Sequence, residues 1–378
     1  MPAFGMGRQP KVVNDLLRVH GRSLGWAETE GKHMKVVIIG AGIIGAALAR
    51  SLSTSGADVT VMSSGVGATA ASFGWINASF YLDADHFRLR AAGLEAWRRL
   101  DVPLNWSGAL CWEEEGAGFD QQFKSLSDLN YDVDVIDQEG FSELEPHVVA
   151  PARALRFAIE GVAEPRATAQ NLLAGVRRII GVPVRRIATT AGRVSGVETD
   201  QGVMPADRVI VAAGNGSPAL LEPLGVALPM LDRPGLMMRT GAVPPMLAHV
   251  LVTPEGEVRQ DSGGHIWMPT AAAHQSDAST QIDSRPDVLA DQALARLEAL
   301  VPGTALAWDR VMLAYRPVPQ DGRPVIGPCG PEGLFTAVMH SGVTLAAITA
   351  ELLAPQVLDR PLSNAQADLI APYGPSRF

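Results

Sequence analysis

The stretch Gly40-Ala41-Gly42-Ile43-Ile44-Gly45 constrains this chain more than any other. It follows a short apolar run at 35–39 and leads into 46–52, which reads as a helix. A second apolar strand is predicted at 57–62. Strand, glycine turn, helix and strand thus fit within about thirty residues, the size of one βαβ unit. Such apolar strands imply a parallel sheet covered on both faces. The three glycines have separate mechanical roles. Gly40 makes the tight bend, Gly42 lets the backbone approach a pyrophosphate, and Gly45 lets helix and strand pack closely. The helix start, with Ile43 and Ile44 in its first turn, offers free N–H groups and a positive dipole end to an anion.

An acidic residue about twenty positions on usually bonds a ribose. That place holds Ser63, followed by Ser64. Ser63 is therefore either an altered ribose partner or a plain strand-end residue. The next segment, Gly65-Val66-Gly67-Ala68-Thr69-Ala70-Ala71-Ser72-Phe73-Gly74-Trp75-Ile76-Asn77, is made of small residues that end in an aromatic. Small side chains let a chain pass close to a flat ligand, and the hydroxyls of Thr69 and Ser72 are placed to reach phosphate or ring atoms.

Further on, Phe87, Leu89, Leu94 and Trp97 recur on a helical period and predict a helix over 85–100. Short strands with polar turns are expected over 103–160, broken by Pro146 and Pro151. A helix is expected over 167–180, then strands at 183–187, 194–199 and 208–213. The last of these runs into a second glycine turn, Ala212-Ala213-Gly214-Asn215-Gly216. Dense Pro and Gly at 223–245 suggest a crossing between domains. Paired strands are expected over 250–269, an amphipathic helix over 288–300, strands at 311–315 and 334–338, and a last helix from Ser341-Gly342-Val343-Thr344 to about 357.

Composition narrows the function classes. A chain of 378 residues suits two connected domains. Its net charge is −9 and it has no basic run, which excludes a phosphate track and so nucleic acid as partner. Cys111 and Cys329 are the only cysteines, and neither has a Cys or His at ligand spacing. No metal site or disulfide is expected, and two thiols in a reducing cytosol are the simplest reading. No apolar stretch is long enough to span a bilayer. Residues 1–33 carry Arg8, Lys11, Arg18 and Arg22 without an apolar h-region, so a cytoplasmic protein with a leading extension is expected.

Taken in order, a set of motifs resembles the D-amino-acid oxidase and glycine oxidase family of FAD enzymes, with its sarcosine-oxidase-like members. They are Val37-Ile38-Ile39 with the first glycine turn; Ala71-Ser72-Phe73-Gly74-Trp75-Ile76; Leu144-Glu145-Pro146; Glu164-Pro165-Arg166; and 206–214, ending in Ala213-Gly214. Two more follow: Arg316-Pro317 with Asp321-Gly322-Arg323-Pro324, and Met339-His340-Ser341-Gly342-Val343-Thr344. The resemblance implies an α/β fold. A Rossmann-like FAD-binding domain would be assembled from the discontinuous segments 34–84, 145–228 and 310–378. A smaller α+β substrate domain with a mostly antiparallel sheet would come from 85–144 and 229–309.

The resemblance also implies roles. The loop from Ser72 to Ile76, with Phe73, Gly74 and Trp75, would run past the isoalloxazine. Val184 would sit beside the adenosine end. His340 to Thr344 would close over the pyrimidine side of the ring, with the positive end of the last helix aimed at it. Arg316 would grip a substrate carboxylate, as a planar guanidinium does with two parallel bonds. Tyr315 either lines the pocket or fills its strand, Trp75 either shapes the substrate side or is core, and His340 is a flavin-packing or core histidine. Oxidation of a C–N bond by hydride transfer needs no base once the amine is neutral. Imine hydrolysis follows, and molecular oxygen as acceptor would release hydrogen peroxide.

Two departures matter. The loop His340-Ser341-Gly342 lacks the second Arg of glycine oxidases, which points to a bulkier or N-substituted substrate. The resemblance to sarcosine-oxidase-like members implies a flavin-linking cysteine near Arg316, but no Cys follows until Cys329, so non-covalent FAD is expected. Alternatives are a D-amino-acid dehydrogenase with another acceptor and a flavin-binding relative without turnover. A nicotinamide-dependent dehydrogenase would need neither the turn at Gly214 nor the helix at Gly342. A homo-oligomer is compatible with all of these.

Overall fold

Alternation along the strand Lys35–Ile39 splits the first core in two. Val36 and Ile38 pack into one apolar cluster, Val37 and Ile39 into another. A strand covered on both faces has no polar side, which is why it reads as a continuous apolar run. The computed structural model describes residues 33–65, 67–272 and 278–378. Nearly all of the expected leading extension lies outside them.

This strand is central in a six-stranded sheet with the order Val325–Pro328, Leu334–Val338, Arg208–Val211, Lys35–Ile39, Asp58–Ser63, Arg177–Ile180. Its pairs are parallel except the first. One face is covered by the helices Ile43–Thr54 and Gly342–Val357. The other carries an antiparallel sheet of Val184–Thr190, Arg193–Thr199 and Gly202–Pro205. The second large sheet has eight strands, in the order Trp308–Tyr315, Pro234–Ala242, His265–Pro269, Gly256–Gln260, Val250–Thr253, Ala109–Cys111, Arg153–Phe157, Asp134–Asp137. It is antiparallel apart from one parallel pair, Val250–Thr253 with Ala109–Cys111. The helix Pro286–Leu300 covers its outer face through Ala290, Ala293 and Leu297.

Two short antiparallel ribbons lie apart from the large sheets. Trp75–Ile76 pairs with Gly161–Val162, and Met230–Leu231 pairs with Val318–Pro319. The second ribbon sets the outgoing and returning chain side by side, and Met230–Leu231 falls within the Pro- and Gly-dense stretch 223–245.

Three local expectations change. Only the first part of 167–180 is helical, as Pro165–Leu172. Gly175, with φ +76, turns the chain, and Arg177–Ile180 becomes an edge strand that sets Ile180 beside Ser63. The stretch expected as strands and turns contains the helices Gly116–Asp128 and Gln138–Leu144. They bury only Phe119, Leu126 and Phe141, too few apolar positions for a visible helical period. Strand pairing also places Arg153–Phe157 and Trp308–Tyr315 in the eight-stranded sheet, although the expected boundaries at 145 and 310 assign the first, and nearly all of the second, to the nucleotide-binding part.

Candidate active site

The first glycine turn is held by contacts that only glycine permits. Gly40 has φ +122, and a Cβ there would lie 2.2 Å from the Ala212 carbonyl oxygen. A Cβ on Gly45 would lie 2.0 Å from the Gly40 carbonyl oxygen. Gly45 therefore serves the packing of helix on strand, and it does not line the cavity in front of the turn. Gly42 precedes the helix Ile43–Thr54 and gives it no side-chain cap. The Ile43 N–H donates instead to Thr69 Oγ1 at 3.1 Å. Thr69 thus buttresses the turn, and its own hydroxyl hydrogen stays available to an anion. Ser63 is engaged in a turn of its own. Its hydroxyl donates to the Gly65 carbonyl at 3.0 Å and accepts from the Gly65 N–H at 3.3 Å.

A cavity of about 1070 Å³ runs from this turn to the eight-stranded sheet. Its lining contains every residue expected at cofactor or substrate except Gly45 and Val184. Val184 begins the three-stranded sheet, half-buried against the core on the far face. A void of this size sits at the top of the usual ligand-pocket range of roughly 300–1,000 Å³, as a dinucleotide with a substrate beside it requires.

In the middle of the cavity the segment from Ser72 to Trp75 is fixed from three sides. Gly74, with φ +87, would put a Cβ 2.4 Å from the Ala163 carbonyl oxygen. Arg259, 1% exposed, reaches across from the eight-stranded sheet, donating from Nε to the Phe73 carbonyl and pairing with Glu164 at 2.9 Å. Thr344 Oγ1 donates to the Trp75 carbonyl at 3.2 Å and accepts from the Asn77 N–H at 3.3 Å. The Trp75 indole nitrogen is buried and has no hydrogen-bond partner among the described residues.

Opposite this segment the chain closes with Met339-His340-Ser341-Gly342. Ser341 takes φ +54, an uncommon conformation for serine, directly before the helix Gly342–Val357. It is held by Arg90, whose Nη1 donates to Ser341 Oγ at 2.7 Å. Ser341 Oγ lies 3.2 Å from His340 Nδ1. Arg90 is 3% exposed and also donates to the Asn77 carbonyl at 3.1 Å and to its side-chain oxygen. Burial pushes the Arg90 guanidinium down to about 10, against the opposing pull of Glu160. Glu160 is fully buried and pushed up to about 6 by that burial, although the Tyr131 hydroxyl (2.6 Å) and the Ala78 and Ser79 N–H groups (both 3.1 Å) donate to it. Arg90 and Glu160 lie outside every motif read from the sequence, and Asn77 only closes the small-residue segment there. A signal for Arg90 was present: positions 86, 90, 93 and 97 share one helical stripe, all buried in the helix Ala84–Arg99.

Arg316 stands at the far end, where the eight-stranded sheet passes into the second ribbon. Its N–H donates to the Arg233 carbonyl at 2.8 Å, and its guanidinium lies 3.5 Å from the carbonyls of Arg233 and Pro234. Met237 and Met312 supply apolar wall there, and the buried Glu257 also lines the cavity. Tyr315 is half exposed at the rim, its carbonyl accepting from Asn215 Nδ2 at 3.0 Å.

A glycine turn that excludes a Cβ at Gly40 and Gly45, a helix start facing a long cavity and a second sheet beside it fit a dinucleotide-binding protein. The family model described as "FAD dependent oxidoreductase" matches residues 35–356, and the chain belongs to that family. It is 26% identical to a glycine oxidase of Pseudomonas aeruginosa over 372 residues, covering 90% of this chain and 98% of that one. It is 26% identical to a D-amino acid dehydrogenase of Allorhizobium ampelinum over 307 residues, 76% of this chain and 71% of the relative. The solved glycine oxidase of Geobacillus kaustophilus shares the fold, with a TM-score of 0.78 at 22% identity over 92% of this chain and 99% of that one. FAD is the cofactor, and the cradle, cavity and helix start fit it. No helix among the described residues is long and apolar enough to cross a membrane.

Proposed function

We propose that this enzyme oxidises the C–N bond of an amino acid or N-substituted glycine and passes the electrons to molecular oxygen, releasing hydrogen peroxide. The observation that carries this reading is Arg316, a guanidinium on the wall of the cavity that also holds the glycine turn and the 72–75 segment. The names of the relatives, glycine oxidase and D-amino acid dehydrogenase, agree with it. Arg316 binds the substrate carboxylate and orients the carbon that bears nitrogen. Met237 and Met312 exclude water from that carbon. Bound FAD supplies the hydride acceptor. The Ser72–Trp75 segment, His340 to Thr344 and the helix start at Ile43 would hold it, the last of these offering N–H groups to the pyrophosphate. The absence of a second arginine in 340–342 leaves room for an N-substituent.

The test is an anaerobic panel of amino acids and N-alkyl glycines scored by loss of flavin absorbance, then repeated in air with a peroxide assay. Bleaching without peroxide would mean a dehydrogenase with another acceptor. No bleaching by any compound would sink the amine-oxidising reading. Arg316→Met is expected to keep its FAD and to weaken substrate binding by about 2–5 kcal/mol, the usual cost of truncating one partner of a buried charge pair. That is roughly thirty-fold to a few thousand-fold in the substrate dissociation constant.

Neither Cys111 nor Cys329 lines the cavity, so no cysteinyl link to the flavin is expected and FAD is read as non-covalent. Acid precipitation is expected to leave all of the yellow colour in the supernatant. Colour in the pellet would contradict this.

A further inference from the structure

Arg90 is unusual among the charged groups of the site. It is buried, it lines the cavity, and its three hydrogen bonds among the described residues all go to uncharged groups. They go to Asn77 and to Ser341, the residue immediately before the helix Gly342–Val357. A neutral side chain could brace these acceptors without the cost of placing a full charge inside the protein. The balancing carboxylate, Glu160, sits behind Arg90 on the Ala78–Ser79 backbone and does not line the cavity. The helix Ala84–Arg99 is also pressed close here, since a Cβ on Gly93 would lie 2.7 Å from the Thr344 carbonyl oxygen.

We propose that Arg90 is a positioning residue that sets the electron affinity of the bound flavin, holding a fixed positive charge beside the start of the closing helix where the ring's added negative charge collects. The geometry divides the work. Ser341 Oγ accepts from Arg90 and lies 3.2 Å from His340 Nδ1, so one cation orients the closing segment. The charge adds to the dipole of the Gly342–Val357 helix in a region of low dielectric, where fixed charges act strongly. Glu160 moderates the effect from behind. The proposal rests on the flavin ring lying against 340–344 as proposed above.

The experiment uses purified holoenzyme at pH 8, where Glu160 is ionised. Two readouts are independent of turnover: the two-electron reduction potential, by dye equilibration, and the affinity for sulfite, which adds to electron-poor flavins. Arg90→Met is expected to lower the potential and weaken sulfite binding about ten-fold or more. Arg90→Lys keeps the charge and is expected to stay within about three-fold of wild type. Glu160→Gln removes the balancing charge and is expected to move both readouts the opposite way, which a merely loosened site would not do. Wild-type potential and sulfite affinity in Arg90→Met would overturn the proposal, as would Glu160→Gln moving in the same direction as Arg90→Met. Should Arg90→Met not hold FAD, Arg90→Lys and Glu160→Gln decide in the same way. His340→Ala separates the two readings. If it leaves the flavin spectrum unmoved, the ring placement is wrong and the proposal falls with it. A spectral shift there with inert Arg90 variants overturns the Arg90 proposal alone.

Discussion

Gly45→Ala is expected to give a protein that has lost both its FAD and much of its stability. Two effects compete. Alanine is the better helix former by about 1 kcal/mol, and Gly45 sits in the helix Ile43–Thr54. Its new Cβ, however, would lie 2.0 Å from the Gly40 carbonyl oxygen, a backbone atom that no rotamer change moves. Overpacking of a flexible neighbour costs about 1–3 kcal/mol, and a rigid backbone clash costs at least the upper end of that range. The helix must lift from the strand Lys35–Ile39, carrying away the N–H groups meant for the pyrophosphate. Flavin absorbance per protein and the melting temperature measure the two losses. Gly42→Ala is the contrasting case. Its Cβ would meet only Thr69 Oγ1, at 3.0 Å, so the fold should survive while FAD affinity falls. An unaltered flavin content in Gly45→Ala would contradict this account of the turn.

Glu145→Ala is expected to be the most destabilising change away from the cavity. Glu145 is fully buried at the end of the helix Gln138–Leu144. Its carboxylate accepts from the N–H of Ala248 at 3.0 Å and of His249 at 2.7 Å, and lies 2.7 Å from His249 Nδ1. Truncation leaves two N–H donors and an imidazole without their acceptor where water does not reach. About 3–5 kcal/mol is the expected cost, read as a lower midpoint in urea. Folded molecules should keep their flavin, because Glu145 does not line the cavity. A loss below about 1 kcal/mol would mean that water replaces the carboxylate.

These two residues also mark what the amino-acid sequence reveals. Gly45 was legible because its function is local: strand, turn and helix adjoin in the chain, and each glycine answers a neighbour a few positions away. The closing helix from Gly342 was legible for the same reason. The motif around Glu145 was visible as a pattern, but its partners lie about a hundred residues on, so its purpose was not. Arg90 shows the limit most plainly. Charges on an amphipathic helix normally face water, and only the packing of that helix against Gly342–Val357 turns this one inward. The Thr69 hydroxyl lies in the cavity lining as its place in the small-residue segment suggests, yet its observed bond is from a backbone N–H of the turn. The edge strand Arg177–Ile180 was missed because a strand paired on one side, with Arg177 and Arg178 exposed, carries little apolar pattern.

The order of the six-stranded sheet has a consequence for how the protein is made. Arg208–Val211 lies between Lys35–Ile39, synthesised before it, and Leu334–Val338, synthesised more than a hundred residues after it. Ribosomes add roughly 5–20 residues per second, so some seconds pass in which this apolar strand has only one neighbour. An unpaired apolar edge invites pairing with other chains. A chaperone that shields the nascent edge during that interval should therefore raise the soluble yield.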